Sequence, residues 1–405
     1  MNRDPTTTRR DFVKGAAAVL AAPHVITSAA LGADDRPAAS ERIVMGGIGI
    51  GNMGRGDLGA FLGRKDVQYV AVCDVKKGAR EGAKARADKR YGNSDCKSYV
   101  DFRELLARDD IDAVHIATPD HWHVIIIVDA CRHGKDVFCQ KPETLTLDQG
   151  PAMVAAAKKY SRVVSGGSQR VLQDYRKVVD PCWSGQKGKI KSINVNVGPL
   201  SRPCNLPGQP IPPGFDWDMW LGPAPWAPYN AWRCSGSFSI NGKSWRSFED
   251  YSGGGMTDWG AHHFGGATFA IDVRDMQPEE VTYHNEGGKK FLTYRFPNGI
   301  LLHHNHPGMG NMHVVGSDAK KEPKPVPGYK GTGGICGDFV HCVKTREKPF
   351  RDVEYAANTM AVCHLGSIAH KLQRSLKWDA AKQEFVGDDE ANRMRWRPMR
   401  QPWRL

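Results

Sequence analysis

The chain reads as an α/β protein in two parts: a parallel, doubly wound sheet, then an α/β region with a large, mostly antiparallel open sheet. Three observations predict this. A G-x-G-x-x-G turn (Gly49, Gly51, Gly54) joins an apolar run to a helical stripe. Strand-like and helix-like patterns alternate from Arg42 to about Val164. Beyond Val164 the pattern changes to short stretches of period two. Alternating strands and helices argue for a parallel sheet, and clustered alternating strands for an antiparallel one.

The first strand is the apolar run after Arg42, and Leu58, Phe61 and Leu62 begin the helix beyond the turn. At such a turn the first glycine permits the tight bend, the second admits a pyrophosphate, and the third lets helix and strand pack closely. Asn52 and Met53 lie inside the turn and join its candidate cofactor contacts. A second strand, 67–73, ends in Asp74, twenty residues past Gly54, where a carboxylate grips an adenosine ribose. That carboxylate would repel a 2′-phosphate, so NAD is the expected cofactor, while Lys76 and Lys77 keep NADP open. A basic helix spans 76–90. The third strand, 111–117, ends at Thr118-Pro119, and an apolar helix through Val124, Ile127, Val128 and Cys131 stops at Gly134. The strand 136–139 then delivers Gln140-Lys141-Pro142. Ligands of such sheets sit beyond the carboxyl ends of the strands, where Gly51, Asp74, Thr118 and Lys141 all fall.

In the second part, residues 190–197, 280–284, 291–296 and 300–304 read as strands. Between them, 199–255 is rich in Pro, Gly and Trp and reads as long ordered loops. Six of the eleven tryptophans fall in 217–259, either packing those loops or walling a sugar site. A helical pattern returns over 338–376, and a polar tail follows. The expected boundaries are 1–33 for a leader, 41–164 for the dinucleotide-binding domain and 165–405 for a substrate and oligomerisation domain.

The leader carries Arg9-Arg10 in a twin-arginine pattern, followed by an alanine-rich apolar run broken by Pro23. It predicts export of a folded protein to the periplasm or beyond, through the twin-arginine machinery, with no stable membrane anchor. The formal charge of +12 is scattered and no nucleic-acid motif accompanies it, so a solvated basic surface is expected and nucleic acid is not. Ten cysteines include no C-x-x-C pair. His303, His304, His306 and His313 lack ligand spacing and acidic companions, and no metal is expected.

Two places carry chemistry. Lys141 ends a buried strand at the mouth of the cofactor site. The stretch Ser252-Gly-Gly-Gly-Met-Thr-Asp258-Trp-Gly-Ala-His262-His263 enters a helix on which Asp258 and His262, four apart, share a face. Lysine, carboxylate and imidazole beside a nicotinamide can take a hydroxyl's proton while hydride leaves its carbon.

The series of the turn, Thr118-Pro119 with His123, Lys141-Pro142, and G-G-x-x-x-D-x-G-x-H ending at His262 resembles the glucose–fructose oxidoreductase/inositol dehydrogenase (Gfo/Idh/MocA) family over nearly all of residues 34–405. The leader, the loop from Trp217 to Trp226 and the ending Gln401-Pro-Trp-Arg-Leu405 resemble an exported bacterial subgroup. The resemblance implies an N-terminal Rossmann domain and a C-terminal α/β domain whose open sheet often mediates dimers or tetramers. It implies Lys141 as the catalytic lysine, completed by Asp258 and His262. Thr118, Pro119, His123, Gln140 and Lys141 are implied on the cofactor, and Arg170 and Tyr251 join Lys141, Asp258 and His262 on the substrate. Two positions depart from the pattern: Gln140 stands in place of the glutamate of Glu-Lys-Pro, and Gly265 where an aspartate often follows the histidine. The expected activity is an exported NAD(P)-dependent oxidoreductase acting on a hydroxyl of a sugar, polyol or glycoside, with a tightly held cofactor. Two alternatives are an NAD-dependent glycosidase working by transient oxidation and elimination, and a dinucleotide-binding protein without catalysis.

Overall fold

A computed structural model describes residues 37–237 and 243–405. The leader expected at 1–33 lies outside the described residues. Residues 43–405 form one compact unit with two sheets.

The first sheet contains β1 (Ile43–Ile48), β2 (Val67–Cys73), β3 (Lys97–Tyr99), β4 (Ala113–Ile116), β5 (Asp136–Cys139) and β6 (Val164–Gly166). All are parallel, in the order β3-β2-β1-β4-β5-β6. Chain order reverses between β1 and β4, and a crevice opens there at the strands' carboxyl ends. Helices α1 (Asn52–Leu62) and α2 (Lys77–Tyr91) cover one face; α3 (Phe102–Leu106), α4 (Asp120–Arg132) and α5 (Gln149–Lys159) cover the other. The inner strands β1, β2, β4 and β5 are buried over most of their length because both faces are covered, while the edge strand β3 is partly exposed.

The second sheet has seven strands in the order β11-β7-β10-β9-β8-β12-β13. They are β7 (Ser192–Val195), β8 (Glu280–Glu286), β9 (Lys289–Arg295), β10 (Leu301–His304), β11 (His313–Val315), β12 (Leu376–Asp379) and β13 (Glu384–Phe385). Only the β7–β10 pair is parallel. Helices α6 (Arg176–Trp183), α8 (Gly255–Asp258), α9 (Gly260–Ala270) and α11 (Val353–Leu372) cover one face; a short α7 (Trp217–Leu221) lies in the long loop. The other face carries half-exposed Thr282, His284, Thr293 and His303.

Three features add to the sequence reading. The helical pattern over 338–376 is two helices, α10 (Gly334–Thr345) and α11. Arg346 and Phe350 lie in the turn between them, and α10 returns to the first sheet, setting Phe339 against Phe61 and Phe138. The polar tail is ordered: after β12, β13 and α12 (Asp389–Arg393) it ends with Trp403 against Trp122 and Phe102. Helix α4 is buried almost all round, its outer face covered by that tail and by the loop at Trp220. No described helix is long and apolar enough to cross a membrane.

Candidate active site

The crevice is a cleft of about 630 Å³ at the end of β1, in the range of small-molecule sites. Gly49 turns with φ +82°, and a Cβ on it would lie 2.7 Å from Thr118 N. A Cβ on Gly54 would lie 2.1 Å from Gly49 O, so the third glycine sets the contact of α1 with the turn. Gly51 faces open space, and with Gly49, Asn52 and Met53 it lines the cleft at the N-terminus of α1. That terminus offers unpaired N–H groups and a positive dipole end to a phosphate. Asp74 lines the cleft too, its carboxylate accepting from Ile50 N and Lys76 N, each at 2.8 Å. Two buried polar atoms of cleft residues, Thr118 Oγ1 and Gln140 Oε1, have no hydrogen-bond partner within the chain. Turn, ribose acid and unpaired polar atoms together fit a dinucleotide.

Residues 199–237 and 243–255 arch over this cleft as a strap, adding Met219, Trp220, Cys234, Gly236, Trp245 and Arg246 to its lining. The strap is tied to both rims. Lys77 N donates to Gly214 O at 2.8 Å, and Asp216 N to Val75 O at 3.0 Å. Asn52 Nδ2 donates to Gly236 O at 2.7 Å, and Trp122 Nε1 to Trp220 O at 3.1 Å. It has its own core, where Trp217 and Trp220 stack at 4.8 Å beside Tyr229 and Tyr251. Of the six tryptophans over 217–259, Trp217, Trp220 and Trp245 pack the loop, Trp220 and Trp245 also border the cleft, and Trp226, Trp232 and Trp259 are exposed. The tail clamps the strap from outside, Arg400 Nε donating to Gly222 O at 2.9 Å and Arg400 Nη1 to Asp218 at 2.5 Å.

At the lip of the cleft Lys141 Nζ lies 2.7 Å from Asp258 Oδ1 and donates to Asp258 O at 3.2 Å. Arg246 Nε approaches the same carboxylate oxygen at 3.4 Å. Burial alone would raise the Asp258 carboxyl, but Lys141 and Arg246 hold it below the usual carboxylate range. His262 follows one helical turn later, buried, its Nδ1 2.7 Å from Ser168 Oγ. Burial, reinforced by the Lys141 charge, holds the imidazole well below its ordinary value, so it is neutral. Asp120, on the first turn of α4, is 1% exposed; burial, then the Asp258 charge, pushes its carboxyl up to about 8.

Other expected residues sit elsewhere. Tyr251 is fully buried in the strap core with its hydroxyl toward Arg233, so the structure corrects its assignment to the substrate. His123 is buried too, Nδ1 2.8 Å from Pro142 O and Nε2 2.9 Å from Thr118 O. It braces the Thr118 and Lys141 lips against each other, which corrects its reading as a cofactor contact. Arg170 pairs with Asp174 and lies over the ring of Trp259, which itself packs on His262, so it stands on the His262 side, outside the lining of the dinucleotide cleft. Gln140 lines the cleft, its Nε2 donating to both carboxylate oxygens of Asp57 at 3.0 and 2.9 Å. At Gly265 a Cβ would lie 2.8 Å from Arg351 Nη1, so a side chain there is excluded by the buried Arg351–Glu143 pair. Of the candidate histidines, His303 bonds Thr293 and His304 faces His370, while His313 sits on the edge strand β11. Arg246, Asp120 and Asp57 escaped sequence reading. Arg246 lies in no motif, but Asp57 stood beside the apolar stripe of α1, where a carboxylate calls for an explanation.

Comparison with known proteins agrees with this geometry. The family profile "Oxidoreductase family, NAD-binding Rossmann fold" matches residues 43–168. "Oxidoreductase family, C-terminal alpha/beta domain" matches 200–290 and 320–405. A "Glycosyl hydrolase family 109 protein" of Saccharopolyspora erythraea is 38% identical over 128 residues, 31% of this chain and 28% of the relative. An "Alpha-N-acetylgalactosaminidase" of Shewanella oneidensis is 29% identical over 174 residues, 37% of each chain. These matches thus span about a third of the relatives' length. Among solved structures, the WlbA dehydrogenase of Bordetella pertussis, in complex with NADH and UDP-GlcNAcA, superposes with a TM-score of 0.58 at 16% identity, covering 84% of this chain and 99% of that one. On the two profiles, the Rossmann sheet with its cleft, and the second sheet that follows, the chain belongs to the Gfo/Idh/MocA family of NAD-binding oxidoreductases.

Proposed function

We propose that this chain is an exported NAD-dependent oxidoreductase that oxidises a hydroxyl of a sugar, polyol or glycoside and keeps its cofactor enclosed. The observation that carries the reading is the Lys141–Asp258 contact of 2.7 Å at the lip of the dinucleotide cleft. A bound nicotinamide would supply the hydride acceptor. The chain's own residues would manage the proton. Asp258 fixes the Lys141 ammonium, which stabilises negative charge developing on the substrate oxygen. His262, neutral because it is buried, is the acceptor for the hydroxyl proton. Lys141→Ala should lower turnover by about 10³-fold while cofactor binding persists. Turnover retained in that variant would remove the lysine from the mechanism.

A second reading is a glycosidase that oxidises transiently, eliminates the glycosidic substituent and restores the cofactor. It is favoured by the glycosyl hydrolase names of the two relatives and by a strap suited to a cofactor recycled in place. A panel of glycosides separates the two. Sugar release without net cofactor reduction supports the glycosidase, and net reduction supports the dehydrogenase.

A further inference from the structure

Gln140 and Asp57 form a buried pair beneath the cleft that the proposed chemistry leaves unused. Gln140 is 5% exposed and Asp57 7%. An ionised carboxylate only accepts hydrogen bonds, so the two contacts from Nε2 fix which way the Gln140 amide is turned. Its carbonyl Oε1 is the atom left without a partner, on a residue that lines the cleft next to Lys141. A buried acceptor with no donor is costly, and a ligand donor removes the cost. We propose that Asp57 is a positioning residue that locks Gln140 with Oε1 presented to the cleft as the acceptor for an O–H or N–H donor of the bound dinucleotide. The acid absent from position 140 is thereby held on α1, and an uncharged amide meets the ligand.

The lock is pH-sensitive. Burial pushes the Asp57 carboxyl up to about 6, with the Gln140 hydrogen bond opposing the shift. Tyr69 from β2, Cys139 from β5 and Cys336 from α10 also face Asp57, and burial raises all three, so each is uncharged at pH 6. Below pH 6 the protonated acid can donate as well as accept, and the amide is free to turn over.

The inference rests on dinucleotide occupancy of the cleft, not on the substrate. The test follows release of fluorescent NADH from the loaded, full-length protein between pH 5 and 8. Wild-type release should quicken as pH falls through 6. Asp57→Asn should release about tenfold faster at pH 8, the size of one lost hydrogen bond, with no step near pH 6. Moving the acid back, in the Asp57→Asn, Gln140→Glu double variant, should return release to within about threefold of wild type. Gln140→Met, which keeps Asp57 and removes the acceptor, should match Asp57→Asn at pH 8. A loaded analogue with an acetyl group in place of the carboxamide distinguishes the two donors. Loss of sensitivity to Asp57→Asn assigns the carboxamide N–H, and retained sensitivity a ribose hydroxyl. Unchanged release in either Asp57→Asn or Gln140→Met, or a pH step that survives in Asp57→Asn, would overturn the proposal. A wild-type protein that binds no NADH would instead fail the functional reading itself.

Discussion

Asp57 is ionised at neutral pH against the preference of its surroundings. Its folded value of about 6 stands above 3.8, so the folded state holds the proton more tightly than the unfolded chain. The acid's contribution to stability is therefore present below pH 4 and is lost as pH rises through 6, a change of about 3 kcal/mol. Removing the charge should help the fold above that range while harming cofactor retention. Asp57→Asn is thus expected to melt no lower than wild type at pH 8, by calorimetry, even as it releases NADH faster. A merely structural carboxylate would show the opposite melting shift. Arg351 and Glu143 explain a second departure from the family pattern. Their pair is almost wholly buried, and breaking such a pair leaves a charge uncompensated. Gly265 leaves the room the guanidinium needs, so a glycine replaces the aspartate common there.

Among the elements, the strap and tail belong together. Trp403 packs at 4.6 Å from the Trp122 ring, under the cation of Arg103, while Arg400 grips the strap at Gly222. Trp403→Ala should cost about 2 kcal/mol in unfolding free energy, below the full core value because the ring is partly exposed, measured by urea titration. An unchanged midpoint would show that the tail adds nothing to the fold. Strands β2 and β5 were legible to the residue, because an apolar run bounded by turn residues has no other use in a parallel sheet. The tail was not. Its contacts come from Arg400 and Trp403, spaced too irregularly to show a period, and they are set by what the strap offers them. The break between α10 and α11 is written in Pro349 and the N-cap Asp352, stop and start signals that the continuous apolar pattern masked.

For the whole molecule, the question is how the two sheets share one site. The cofactor turn, Asp74 and Lys141 could be placed from sequence because motif spacing along a doubly wound sheet fixes their location. Arg246 and Asp120 could not, because they reach Asp258 only through the arch of the strap and the start of α4. With the strap tied to both rims, extensive dialysis of the full-length protein should leave most of its nucleotide in place, quantified after acid release. Near-complete loss, with full activity restored by added NAD, would sink the enclosed-cofactor reading.

The clamp by Arg400 and Trp403 also has a bearing on biosynthesis. The ribosome makes the nucleotide turn at 49–54 well before the clamp at 400–403. A nascent chain can therefore assemble its first sheet early, but the strap gains its outer support only when residues 400–403 emerge. A chain truncated before Arg400 would retain Lys141, Asp258 and His262 and lack this fastening. Truncation before Arg400 should therefore loosen the strap over the cleft without touching the residues of the site.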